Sequence, residues 1–191
     1  MIFPESLEAA FGGANLHKEL ETAFRRHGIN VLYDVPISEI TPEEILSAKK
    51  HRINYDLLML LPPFRGQAMI GKHGFTDESD FVVVDNFLRV QNLEKVYAVG
   101  DIAAFTGPKL AFMAVREAQV AAANIVSELQ GGIARKSYNH DIALIIDEGG
   151  ESGIFLHYGI WDNTLHGLKT GKMWSRMKSK HNQLWEVVRD G

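Results

Sequence analysis

Hydrophobic and polar positions follow a helical period at the start of the chain and a strand period after it. Over residues 14–27, Leu16, Leu20, Ala23 and Phe24 share one face, with His17, Lys18, Glu21 and Arg25 around it. That spacing predicts an amphipathic helix stopped by Gly28. Residues 29–33 read as a strand. Residues 37–40, 44–48 and 53–61 read as a small antiparallel meander broken by Thr41-Pro42 and Lys49-Lys50. The last stretch is apolar for most of its length, as a central strand is. Pro62-Pro63 ends it, because proline has no N–H to give a ladder. Between 64 and 78 the pattern dissolves into glycines and polar residues, which marks a crossing between domains. Residues 81–85 and 88–90 read as short strands leading into an apolar strand at 96–99.

Beyond it, Thr106-Gly107-Pro108-Lys109 opens an alanine-rich helix over about 110–129, with Ala111, Ala114, Ala118, Ala121, Ala122 and Ile125 on its inner side. Gln130-Gly131-Gly132 ends it. Residues 142–147 and 154–158 pair across the turn Glu148-Gly149-Gly150-Glu151-Ser152-Gly153. Those glycines resemble a phosphate loop but lack its lysine and following helix, so a β-hairpin is the reading. At the end, Met173, Trp174, Met177, His181, Leu184, Trp185 and Val188 recur at helical spacing, bordered by Lys172, Arg176, Lys178 and Lys180. Such a helix lies in a membrane interface, or packs on its own domain or a second subunit.

Composition narrows the function. With 191 residues, 46% hydrophobic and 23% charged, the chain is ordinary globular material for one or two domains. A net charge of −4 argues against a nucleic-acid surface. The absence of cysteine excludes disulfides, thiolate metal sites and a cysteine nucleophile within these residues, and fits a cytoplasmic protein. The eight histidines have no metal-ligand spacing, so no metal site is expected. No apolar run is long enough for a membrane span.

The chemistry concentrates at Val96-Tyr97-Ala98-Val99-Gly100-Asp101. Glycine at a strand end lets backbone approach a ligand, and the adjoining carboxylate accepts hydrogen bonds from sugar or ribityl hydroxyls. Proline suits the first turn of the following helix, whose free N–H groups attract an anion or a polarised carbonyl. A buried strand ending in an ordinary turn fits the same residues. Lys109 reads as a ligand for such a site or as a solvated loop lysine.

VYAVGDIAAFTGPKLAFMAVREAQVAAANIVSEL resembles the second FAD-binding motif of the two-dinucleotide-domain flavoprotein oxidoreductases. YDLLMLLPPFRG and GFTDESDFVVVDNFLRV resemble their sulfide:quinone oxidoreductase branch. Type II NADH dehydrogenases share the plan, but Pro62-Pro63-Phe64-Arg65-Gly66 leans to the sulfide:quinone side.

The resemblance implies an α/β fold. Residues 1–63 would be the end of an NAD(P)-binding-like domain with its antiparallel meander. Residues 64–130 would be an incomplete Rossmann-like half of an FAD domain, and 131–191 a β-hairpin with a C-terminal helical tail. No G-x-G occurs, so the βαβ unit that holds the FAD pyrophosphate is not in these residues. The chain is therefore expected to be the C-terminal portion of a longer flavoprotein, to bind FAD weakly or not at all alone, and to dimerise through exposed apolar surface.

The resemblance further assigns FAD binding to Gly100, Asp101, Lys109, Leu110 and Ala111. Asp101 would meet the ribityl or phosphate region, while Lys109 and the N–H groups of Leu110 and Ala111 would face the flavin N1–C2=O edge and raise its reduction potential. Electrons would pass from NAD(P)H or a sulfur compound to a quinone-like acceptor, on a protein peripheral to the inner face of the plasma membrane. Sulfide chemistry needs redox cysteines, and the position of one falls near Leu144, which makes NAD(P)H the more plausible donor. The competing expectation is a non-catalytic binding or oligomerisation module built on the same fold.

Overall fold

The computed structural model describes residues 1–190, with side chains as far as Gln183. It divides into two compact units, one made of residues 1–60 with the chain from 142 onward, the other of Leu61–Asp141.

In the first unit, Ser6 caps the short helix α1 (Leu7–Ala10) by accepting from the Ala9 N–H at 3.3 Å. Helix α2 (His17–Arg26) is the predicted amphipathic helix, with Leu20, Ala23 and Phe24 buried. Arg26 near its end binds Glu148 at 2.6 Å, tying the helix to the glycine turn. Residues 29–33 form no full strand: Leu32 makes one parallel bridge to Ile2. One partner residue cannot propagate a ladder.

The meander is present as β1 (Ile37–Ile40), β2 (Glu44–Ser47) and β3 (Arg52–Asn54), in spatial order β1-β2-β3. Its third strand is a correction, because β3 stops at Asn54 and lies at an edge. The apolar run beyond it is exposed, with Leu57 at 90%, Met59 at 88% and Leu61 at 86%. An all-apolar strand needs a sheet on both sides, and the described residues supply none.

Strands β4 (Asp141–Asp147) and β5 (Gly153–Gly159) form the predicted hairpin, and β6 (Thr164–Thr170) extends the sheet antiparallel to β5. The third strand was not foreseen, because its residues are largely exposed and its alternation is weak. Ile142, Ile154 and Leu156 are the fully buried part of this sheet. Helix α5 (Lys172–Asp190) packs on β5, where the Trp174 ring stacks on Phe155 at 4.4 Å. Trp174 is thus turned to the sheet, while Met173 and Met177 are exposed. Leu184, Trp185 and Val188 lie outside the described side chains. No described helix is long and apolar enough to cross a membrane.

The second unit has one long helix, α4 (Ala111–Leu129), and a short one, α3 (Ala68–Gly71). The strands expected at 81–85, 88–90 and 96–99 are reduced to isolated bridges, Val82 with Ala103, Val84 with Val90 and Arg89 with Tyr97. Val96 is exposed rather than buried.

Two polar side chains organise what regular pairing does not. Asp85 accepts from the Phe87 and Arg89 N–H groups at 2.9 and 3.0 Å and holds the Arg89 guanidinium at 2.7 Å. Asn124, fully buried in α4, donates to the Phe87 and Lys136 carbonyls and accepts from the Arg135 and Lys136 N–H groups. Around them Leu88, Val120, Ala121 and Tyr138 form the core, with Val84, Tyr97, Val99 and Phe105 against it.

The buried face of α4 also corrects the alanine pattern. Met113, Glu117, Val120, Ala121 and Asn124 point inward, and Ala111, Ala118, Ala122 and Ile125 outward. Hydrogen bonding by Glu117 and Asn124 sets the helix rotation, since a buried polar group without a partner is costly.

Candidate functional site

The site lies wholly in the second unit. Val99 is extended, and Gly100, at φ +77°, starts a single 3-10 turn through Ile102. A Cβ on Gly100 would sit 3.6 Å from that of Ala114, an ordinary contact. The requirement for glycine is therefore torsional rather than steric. The Gly100 N–H donates to Glu117 Oε2 at 2.6 Å, which fixes the turn on α4. Asp101 follows with its side chain exposed.

Between this turn and α4, the chain loops through residues 103–110. Lys109 Nζ donates to the carbonyls of Ala103 at 2.6 Å and Phe105 at 3.2 Å, and sits 4.6 Å from the centre of the Phe81 ring. It is a half-buried clasp of its own loop, not a solvated lysine. Burial pulls its pKa below the ordinary lysine value, opposed by the negative charges of Glu117, Asp101 and Asp77.

The clasp keeps 106–110 out of the helix, so α4 starts at Ala111 and Pro108 stands before its first turn instead of within it. Leu110 is the extended N-cap and offers no side-chain cap. The first-turn amides have no intrahelical partner and open beside Gly100 and Asp101. A depression here is lined by Gly100, Asp101, Lys109, Leu110, Glu117 and His140. Gly100, Asp101, Lys109 and Leu110 are thus brought together, with Ala111 next in the chain.

Sequence reasoning missed Glu117, Tyr138 and His140, which are 3%, 2% and 3% exposed. Tyr138 Oη lies 3.2 Å from His140 Nδ1, and His140 Nε2 lies 2.7 Å from the Thr106 carbonyl. Burial pushes the Glu117 carboxyl up, opposed by the bond from Gly100, the influence of the Tyr138 hydroxyl and the charge of Lys109. Burial likewise pushes Tyr138 up and His140 down. Arg116, one residue before Glu117, pairs with Asp141. The available signal was a glutamate on the Ala/Val-rich side of a helix, where burial demands a partner.

Gly66 of the Pro62-Pro63-Phe64-Arg65-Gly66 motif donates its N–H to Ser79 O at 2.8 Å. A Cβ there would fall 1.8 Å from the Asp80 carbonyl oxygen. This motif glycine is required by close backbone approach.

Residues 5–118 match the pyridine nucleotide-disulphide oxidoreductase family. The chain belongs to that family. Over 77 residues it is 34% identical to ferroptosis suppressor protein 1 of Xenopus laevis, covering 40% of this chain and 21% of that protein. The Xenopus tropicalis protein of the same name is 32% identical over 77 residues. The structure of the sulfide:quinone oxidoreductase of Aquifex aeolicus superposes with a TM-score of 0.83 at 21% identity, covering 97% of this chain and 49% of that one. The fold is therefore similar to that of this oxidoreductase, and the chain spans about half the length of that structure.

Proposed function

We propose that this chain supplies part of the cofactor site of an FAD-dependent oxidoreductase that passes electrons from NAD(P)H to a quinone-like acceptor. The observation that carries the reading is the Gly100–Asp101 turn set beside the uncapped start of α4, in a chain of an oxidoreductase family. The residues fit a flavin nucleotide. Asp101 offers an exposed carboxylate acceptor for hydroxyls, and the α4 amides offer donors for an electron-rich edge.

Bound FAD would supply the two-electron chemistry. This chain's residues would position it: Asp101 by accepting hydroxyl hydrogen bonds, Leu110 and Ala111 through backbone N–H groups. Lys109 would add positive charge while holding the loop. The absence of cysteine, with Leu144 on β4 near a position where sulfide chemistry needs a thiol, favours NAD(P)H over sulfide as donor.

Exposed Leu57, Met59 and Leu61 support the further reading that the chain self-associates. The test is flavin absorbance after purification and dialysis of the complete protein, with and without Asp101→Ala. Loss of flavin from the variant supports the assignment, and equal retention by both forms rejects it.

A further inference from the structure

We propose that the second unit carries a binding site for a small organic ammonium ion, an amine with an apolar body, in a cavity at the C-terminal end of α4. The cavity has a volume of about 360 Å³, within the range of small-molecule sites. Arg89, the turn 93–95, Glu128 and the segment 132–134 line it. Glu128 lies about 16 Å beyond Glu117 along α4, so the cavity is separate from the Gly100–Asp101 turn. The proposal goes beyond the cofactor reading and does not depend on it.

The walls are fixed by the chain itself. Asp85 Oδ2 holds the Arg89 guanidinium through Nε at 2.9 Å and a terminal nitrogen at 2.7 Å. Ser127 Oγ donates to the Ile133 carbonyl at 2.9 Å, and the Gly132 N–H donates to Ser127 O at 2.9 Å. A Cβ on Gly132 would fall 2.8 Å from Ser127 Oγ and 3.0 Å from its carbonyl oxygen, so this approach to the end of α4 favours glycine. Lys95 is held at φ +59°, a conformation costly for a residue with a Cβ. A cavity already ordered loses less free energy on binding.

Charge selects a cation. A helix C-terminus carries negative partial charge, which a basic residue in the last turn normally offsets. The last turn of α4 has no basic residue and carries Glu128 instead. Glu94 adds a second carboxylate to the lining, and neither acid forms an ion pair among the described residues. Arg89 is committed to Asp85, so an anion would have to compete with a carboxylate already in place. Lys95 is the remaining cation of the lining, outnumbered by the two acids. Leu93 and Ile133, 41% and 63% exposed, give the carbon chain of an amine an apolar surface to cover.

The experiment titrates the full chain with butylammonium and follows the backbone amides that line the cavity by nitrogen-15 NMR. Butanol and butyrate serve as the uncharged and anionic controls on a similar carbon chain. Butylammonium shifts these amides to saturation, and neither control does. Glu128→Gln weakens the binding about fivefold, the upper end for a partly exposed charge pair. Lys95→Gln strengthens it by removing a like charge, and Ile133→Ser weakens it by removing apolar cover. Both of these side chains are exposed, so the variants fold. Shifts that stay linear in butylammonium concentration overturn the proposal. So do equal or tighter binding of butanol or butyrate, and an affinity for butylammonium that Glu128→Gln leaves unchanged.

Discussion

Lys109 reaches back over its own loop and donates to the Ala103 carbonyl at 2.6 Å, so one side chain decides where α4 begins. Lys109→Met keeps the stem and removes the ammonium. It leaves the Ala103 and Phe105 carbonyls without this donor, at a cost of about 1–3 kcal/mol. Urea unfolding reads the loss as a lower midpoint at constant slope. An unchanged midpoint would show that the clasp is dispensable.

Gly100→Ala tests the torsion of the turn. The added methyl has room, since it meets only Ala114 at 3.6 Å, but φ +77° disfavours any Cβ. The expected cost is about 1–2 kcal/mol, and Gly100→Asn should cost less because asparagine tolerates this region better. Equal loss in both variants would indicate a steric cause instead.

Helices α2, α4 and α5 and the β4–β5 hairpin were legible in the sequence because their periods and stops are local, whereas the single-turn helices α1 and α3 are too short to show a period. Leu20, Ala23 and Phe24 bury themselves as their spacing requires. The strands at 81–85, 88–90 and 96–99 were over-read because an apolar run specifies a strand only when partners exist, and Val96 has one face in solvent. At the site, Gly100 and Asp101 were legible from the motif. Glu117, Tyr138 and His140 were not, because chain separation hides which distant residues meet: the acceptor of the Gly100 N–H lies 17 positions further along the chain. The inner face of α4 was misread for a related reason, as Asn124 takes its partners from two other segments.

Asn124→Leu should be among the most destabilising single changes in the second unit. It deprives the Phe87 and Lys136 carbonyls and the Arg135 and Lys136 N–H groups of their partner. The expected loss is about 3–5 kcal/mol. Hydrogen exchange should quicken at Arg135 and Lys136 first. Slow exchange retained at both amides would contradict the role.

The pH dependence of stability follows from Glu117. Its folded pKa is raised above the ordinary 4.5 by burial, so the folded state binds more protons than the unfolded one in the window above that value. Its contribution is present in full below pH 4.5 and is lost as pH rises through the folded pKa. His140 acts in the opposite sense. Its folded pKa lies below the ordinary 6.5, and its contribution is present above that value and lost as pH falls through the folded pKa. Glu117→Gln should therefore flatten the decline in stability on the alkaline side of pH 4.5, measured by urea unfolding at a series of pH values. The same slope in both proteins would show that Glu117 is not perturbed.

The C-terminal helix offers a membrane test in which packing and anchoring part company. Trp174 is engaged by Phe155, so an interfacial role would fall to Met173 and Met177, which are exposed. Lys172, Arg176 and Lys180, also exposed, would meet anionic head groups at about 1 kcal/mol each near the surface. The double variant Met173→Ser, Met177→Ser should leave thermal stability nearly unchanged, because neither side chain is buried, yet reduce co-sedimentation with phosphatidylserine-containing liposomes. Replacing the three cations with alanine should reduce it further at low salt and have less effect at high salt, where screening has already removed their contribution. Equal sedimentation of all three proteins at low salt would mean that α5 serves packing on β5 alone.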